Sequence, residues 1–277
     1  MAILTCQSFI FAATKEKPLS GKPLKITFLG TGTSQGVPVI GCNCDVCTSP
    51  DPKDQRLRVS LLIESAETTV VIDAGPDFRQ QMLRAGVQKL DVVLITHEHN
   101  DHIIGLDDVR PFNFRQKRPM PIYAMGRVLG EIRKRFEYIF DKDPYPGAPK
   151  LELVEIEDQQ ELTIGDLRFK CLELLHGNLP ILGFKTGEFA YLTDVKTIPE
   201  SSKSDLKGLK HLVINALHHK PHKTHLNLAE ALELIQDLNP GKAYLTHISH
   251  HMGKFEEVNP TLPPHVTLAF DGLSLSL

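Results

Sequence analysis

Residues 91–102 read DVVLITHEHNDH, and this stretch decides the fold. Residues 91–96 form a nearly all-apolar run ending in Thr96, as expected for a strand buried on both faces. Directly behind it come His97, His99, Asp101 and His102. Side chains alternate along an extended chain, so His97 and His99 share one side, and Asp101 and His102 follow as the chain turns toward Gly105. Neutral imidazole and carboxylate are ligand types for Zn, Mn or Fe. Four candidate ligands within six residues can serve two ions held close together.

Outward from this stretch, strand-like and helix-like runs alternate, and no Pro/Gly/Ser-rich linker divides them. Upstream, residues 24–29, 59–64 and 69–73 read as strands, the last two joined as a hairpin through Ser65-Ala66-Glu67. A helix is expected to open at Pro76 and close at Gly86. Downstream, residues 128–139 read as a charged helix and 141–149 as a proline-rich loop. Residues 151–156, 167–175, 188–193, 211–216, 242–246 and 266–270 read as strands. From Leu228 the apolar residues fall at helical spacing, behind Asn227 and Glu230 in a capping-box arrangement. One echo stands out: Ala190-Tyr191-Leu192-Thr193-Asp194 and Ala243-Tyr244-Leu245-Thr246-His247 differ only in the last residue, and Leu94-Ile95-Thr96-His97 shares the ending. Each is an apolar strand, then Thr, then a residue able to bind metal, which could place three ligands at one rim.

The five cysteines point to a second metal. Cys42, Cys44 and Cys47 lie within six positions, a poor disulfide framework and a good metal pattern. A tetrahedral zinc needs a fourth ligand. Cys6 and Cys171 have no partners in sequence and read as inert.

The H-x-H-x-D-H stretch after an apolar strand resembles the signature of the metallo-β-lactamase fold. The rest of that pattern is present in order: Asp73 in VVIDAG, His176 in LELLHG, Asp194 in YLTDV and His247 in LTHISH. The stretches GTGTSQGVPVIGCNCDVC, THISH and LPPHVTLAFDG are similar to the PhnP group of cyclic phosphodiesterases within that superfamily. The resemblance runs from Leu24 to the end of the chain. It implies an α/β (α+β) fold, the αββα four-layer sandwich with two sheets face to face, in one domain over residues 21–277 behind a flexible extension over 1–20. It assigns His97, His99 and His176 to one divalent ion, Asp101, His102 and His247 to another, with Asp194 bridging both and Asp73 steering a ligand histidine from behind. The cofactors implied are two Mn or Zn ions sharing a hydroxide that attacks phosphorus, and one structural Zn held by Cys42, Cys44, Cys47 and His250. Asp101 is then both ligand and orienter of the hydroxide. His225, in KTHLN, corresponds to the group's active-site histidine and is expected to act as general acid or as a clamp on the phosphate. His218, His219 and His222 read as surface or outer-pocket residues. Arg110 could reach an anionic substrate, and the turn Gly30-Thr31-Gly32-Thr33-Ser34 could offer backbone N–H groups to a phosphate.

Composition narrows the partners. At 41% hydrophobic and 23% charged, the 277-residue chain can fold around a core rather than remain disordered. A net charge of −3 argues against a nucleic-acid coat. No apolar stretch is long enough to span a membrane. No Lys or Arg precedes the short apolar run 9–13, so a secretory leader is not expected and a cytoplasmic location is. The expected substrate is a small, cyclic or nucleotide-like phosphodiester, and a homodimer is the assembly to look for, since dimers are the commonest. The rival readings on the same fold are a ribonuclease Z-like RNA 3′-processing enzyme, whose tRNA-gripping arm is not seen here, and a carbon-ester or thioester hydrolase.

Overall fold

The computed structural model describes residues 24–277. The expected extension over residues 1–20, with Cys6, lies outside them. In chain order the strands are β1 (Lys25–Gly30), β2 (Ser60–Glu64), β3 (Thr69–Ile72), β4 (Val92–Leu94), β5 (Met120–Ala124), β6 (Leu151–Glu155), β7 (Glu161–Ile164), β8 (Leu167–His176), β9 (Leu179–Thr186), β10 (Phe189–Leu192), β11 (His211–Asn215), β12 (Lys242–Thr246), β13 (Val266–Leu268) and β14 (Ser274–Ser276). They form two seven-stranded sheets, ordered β14-β1-β2-β3-β4-β5-β6 and β13-β12-β11-β10-β9-β8-β7. Each sheet is antiparallel on one side and parallel on the other. β1, β2 and β3 pair antiparallel and β3 to β6 parallel. β7 to β10 pair antiparallel and β10 to β13 parallel.

Period-two patterning makes the layers. Along β2, Leu61 and Ile63 enter the cluster between the sheets, where they join Phe28, Phe169, Phe184 and Tyr191, while Leu62 faces outward. The outward face of the first sheet packs Val71, Val93 and Ile122 against Phe78, Met82, Leu106 and Ile132 of its helices. The second sheet turns Leu192, Leu212 and Leu245 toward Leu206, Ala231 and Ile235 of its own. Three apolar layers thus separate four layers of structure, the αββα sandwich. A fully buried side chain of this size contributes roughly 1.5–3 kcal/mol.

The helix Leu228–Leu238 carries the capping box at Asn227 and Glu230 with both reciprocal bonds made. Several readings change: the helix expected over 128–139 runs Gly126–Arg135 and continues as a 3-10 turn Glu137–Ile139. The first helix runs Phe78–Ala85, two residues after Pro76, because the Asp77 side chain is drawn to the Arg58 backbone N–H and guanidinium instead of capping. The chain after His99 does not simply turn: it forms a one-turn helix Asn100–Ile103 and then a 3-10 helix Ile104–Val109. The AYLT echo is a true structural equivalence. Both copies pair with β11, Tyr191 and Tyr244 each opposite Val213, and Leu192 and Leu245 each opposite Ile214.

Candidate metal centre

The parallel strands end at a common rim, and the chemistry-bearing residues stand just beyond them. Asp73 follows β3, His97 follows β4, His176 ends β8, Asp194 follows β10 and His247 follows β12. Asp73, Asp194 and His247 adopt left-handed backbone, at φ 65°, 58° and 54°. That conformation costs roughly 1–3 kcal/mol in a non-glycine residue and persists where the surroundings over-determine it. Here it swings each side chain off its strand into the gap at the rim. The Asp101 loop closes over the rim because Gly75 lets it: a Cβ there would stand 1.9 Å from the Asp101 carbonyl oxygen.

Seven residues gather in overlapping groups whose ligand atoms lie within 4.8 Å of one another: His97, His99 and His176; His97, His102 and Asp194; Asp101, His102 and His247. Asp194 is common ground: its carboxylate lies within that reach of His97 and of His176, and stands 3.4 Å from His102 Nε2 and 3.1 Å from His247 Nε2. His97 Nε2 and His99 Nδ1 lie 2.9 Å apart. This is the two-group arrangement expected from the sequence, with Asp194 between the groups.

The hydrogen bonds behind the rings decide which nitrogen faces inward. The Thr96 hydroxyl donates to Asp73 and accepts from His97 Nδ1–H at 3.0 Å. His102 Nδ1–H donates to Asp73 at 2.7 Å, and His176 Nδ1–H to the Thr224 carbonyl at 2.8 Å. When neutral, an imidazole has one donor and one acceptor nitrogen, so the His97 and His176 rings turn an Nε2 lone pair to the centre. Burial lowers the His102 ring, but Asp73, Asp101 and Asp194 outweigh it and hold the ring well above its ordinary value, so its inward Nε2 offers a lone pair once a cation takes the place of the proton. Buried there without hydrogen-bond partners are His102 Nε2, both His247 nitrogens and His225 Nδ1. An unsatisfied buried polar atom costs about 1–3 kcal/mol, and a cation would satisfy such lone pairs. The donor set therefore fits a pair of divalent ions.

The charges agree. Burial pushes Asp101 up, but His102 more than offsets this and holds it below the usual carboxylate range. Asp194 is likewise buried, and His247 and His102 hold it low. Burial, with the neighbouring His102 charge, drives His97 well below its ordinary value, so its ring is neutral and free to ligate. Burial also raises the Asp73 carboxyl, which shares its short bond with His102.

His225 sits at the mouth. Its ring lies 4.5 Å from His176 and 4.7 Å from His247, and its Nδ1 is 3.7 Å from Asp194. Burial, then His247, pushes it down to about 2, so the resting ring is neutral. Its Nδ1 also lies within ligand reach of His176 and Asp194.

The second cluster also assembles. The sulfurs of Cys42, Cys44 and Cys47 lie 3.4, 3.3 and 3.4 Å from His250 Nδ1. Four soft and borderline ligands converging on one point fit a closed tetrahedral zinc. The Cys47 backbone N–H, then the His250 ring, lower the Cys44 thiol to about 6, favouring the thiolate that ligates. Cys171 is buried between the sheets and pushed up to about 12, an inert thiol.

Two minor expectations fail. Arg110 is paired with Asp107 and held near the Tyr145 ring, so it is not a free anion contact. The turn at Gly30 to Ser34 is not an anion cradle: Gly32 N–H donates to Leu57 and Thr33 N–H to Ile248, fastening the turn to the rest of the fold. The sequence reading passed over Thr96 and Thr224. The echo held a signal for Thr96, since Thr96, Thr193 and Thr246 each precede a gathered residue. Thr193 also serves its neighbour, donating to Asp194 at 2.6 Å.

Comparison with known proteins places this geometry. The family model described as "Beta-lactamase superfamily domain" matches residues 68–248. The chain belongs to that superfamily. A solved diphosphatase of the PhnP family is 40% identical, with a TM-score of 0.86, covering 92% of this chain and 97% of that one. At that identity and coverage the chain is a PhnP-family member, with the fold of metallo-β-lactamase hydrolases. A curated octanoyltransferase of Porphyromonas gingivalis is 44% identical over 252 residues, 90% of this chain and 51% of that protein. This PhnP-family chain thus spans about half the length of that relative. Zn-bound PqqB from Methylobacterium extorquens shares the fold, with a TM-score of 0.76 at 18% identity over 91% of this chain and 100% of that one. No helix among the described residues is long and apolar enough to cross a membrane.

Proposed function

We propose that the protein is a dimetal phosphodiesterase acting on a small phosphate ester. The observation that carries this reading is Asp194, which stands beside His102 and His247 of one ligand group, lies within ligand reach of His97 and His176 of the other, and has His225 next to it. The kinship with a PhnP-family diphosphatase supports phosphorus rather than carbon as the electrophile. His97, His99 and His176 would hold one ion and Asp101, His102 and His247 the other, with Asp194 shared. Such a pair supplies a water activated near neutral pH and screens the charge of the phosphate.

The chain's own residues do the rest. Asp73, Thr96 and the Thr224 carbonyl hold the His102, His97 and His176 rings by Nδ1, so each Nε2 already faces inward. Asp101 is positioned to orient the nucleophile. His225 stands where it can donate to the leaving oxygen or to a non-bridging phosphate oxygen, and an anion beside it opposes the burial that keeps it neutral. We further propose that Cys42, Cys44, Cys47 and His250 hold a structural zinc, since a closed shell leaves no position for substrate.

Elemental analysis of the purified protein, with a hydrolysis panel, tests this. Expected are about three metal ions per chain and turnover of bis(p-nitrophenyl) phosphate well above p-nitrophenyl phosphate. Preferential turnover of p-nitrophenyl octanoate, or of tRNA precursors, would overturn it.

A further inference from the structure

Each of the three left-handed corners at the rim is fastened by the N–H of the residue that follows it. Beyond Asp73, the Ala74 N–H donates to the His102 carbonyl at 2.7 Å, and beyond His247, the Ile248 N–H donates to the Thr31 carbonyl at 2.9 Å. Beyond Asp194 the partner is of another kind: the Val195 N–H donates to the Asn215 side-chain oxygen at 2.7 Å. Two corners are therefore held by carbonyls that any residue type supplies. The third, at the carboxylate within reach of both ligand groups, is held by one particular side chain.

The strand register explains why a side chain is needed there. β10 and β11 run parallel and pair as far as Leu192 and Ile214, and Asn215 closes β11. The turn at Asp194 carries the chain off this ladder while Val195 stays fully buried, where its N–H must find a partner within the protein. Asn215, buried as completely, supplies one. Because Val195 donates, the atom facing it is the amide oxygen. The Asn215 Nδ2 has no hydrogen-bond partner among the described residues, so the oxygen is what the amide contributes. Val195 passes the tie on: its carbonyl accepts from the Leu226 N–H at 3.0 Å, one residue beyond His225. Asp194 and the segment bearing His225 are thus fastened to the same residue, with His225 Nδ1 3.7 Å from the Asp194 carboxylate.

We propose that Asn215 is a positioning residue for the dimetal centre: its side-chain oxygen, acting through the Val195 N–H, holds Asp194 at the angle from which one carboxylate can serve both ions. This rests on the dimetal reading above. What the position requires is a neutral acceptor of this length. Asn215→Leu keeps the shape and removes the acceptor. Asn215→Asp keeps both, because burial beside Asp194 favours the uncharged acid, whose carbonyl oxygen still accepts from Val195.

Loading the full chain with Co(II) and extracting the ions with a competing chelator tests this without turnover. The wild type should hold two ions besides the Cys-bound one. Asn215→Leu should weaken both together, by roughly 10–100-fold, and shift the visible Co(II) spectrum, while the Cys-bound metal stays. Asn215→Asp should restore most of the affinity and the wild-type spectrum, a rescue that lost packing alone would not give. Asn215→Ala, which adds no bulk, should lose affinity as Asn215→Leu does, and takes its place if that variant does not fold. Wild-type affinity in the variants lacking the acceptor, or a loss in Asn215→Asp as large as in Asn215→Leu, would overturn the assignment. A wild type holding no ion beyond the Cys-bound one would sink the dimetal reading and the latch with it. The expected pattern in a protein that hydrolyses no phosphate ester would uphold the latch and sink the phosphodiesterase reading alone.

Discussion

The two ligand clusters are built on opposite plans. The His/Asp centre draws on residues from 73 to 247, takes its ligands from the ends of several strands, and buries His97, His102, Asp194 and His247 almost completely. The Cys3His cluster takes three ligands from six consecutive positions and one from elsewhere, and Cys44 is exposed. The first therefore exists only when both sheets are assembled, whereas the second can organise its own loop around a metal. They are not independent. His247 and His250 are three residues apart, Ile248 between them is bonded to Thr31 and Thr33, and His219 ties the His225 loop to Met252. The Cys3His cluster thus braces the wall of the His/Asp one.

Substitutions can break or sharpen this contrast. The largest effect belongs to Asp194→Ala, which removes the shared carboxylate: loss of the ion pair should abolish most of an acceleration that in enzymes is about 10⁶-fold or more. Metal analysis should show the Cys-bound zinc still present. His225→Ala should lower turnover of bis(p-nitrophenyl) phosphate by about 10²–10⁴ with both ions retained. If an ion left with it, His225 would be a ligand rather than a proton donor. Asp73→Ala, which frees the His102 ring, should weaken metal affinity by roughly 10–100-fold. Cys44→Ser should remove one zinc per chain and lower the melting temperature by several degrees, at roughly 2–4 °C per kcal/mol for a chain of this size. It should spare most activity, and disappearance of the dimetal ions with the fold intact would contradict the division of labour. The smallest test is chemical: after chelation, iodoacetamide at mild alkaline pH should label the exposed Cys44 and leave Cys171, buried between the sheets and pushed up to about 12, unmodified.

How much of this was legible in the sequence differs between the same two regions. His97, Asp194 and His247 could be read because each follows an apolar strand ending in Thr, the AYLT echo marking strands in matching register, and His99, Asp101 and His102 because they crowd behind His97; His176 was legible only through the resemblance to the metallo-β-lactamase pattern. β5 and β9 were not read as strands, because Pro121 and Pro180 interrupt them and proline is a poor strand residue. The short β7 and β14 carry too few residues for a period to register. The rings' tautomers were beyond sequence altogether, since they depend on backbone groups, the Thr224 carbonyl among them, that almost any residue type would supply. The turn at Gly30 looked like a phosphate cradle for a related reason: glycines reveal that backbone approaches closely, not what it approaches.

The left-handed backbone at Asp73, Asp194 and His247 has a final consequence. Those angles are imposed as the sheets close, so the reactive cage owes its shape to the polypeptide and not to its cargo. It should behave as a rigid socket: ions of similar size can be swapped in and out without refolding, and the emptied and loaded forms should superimpose. The thiolate loop, lacking any such scaffold, should instead behave as a clasp that holds its form only while something is inside it.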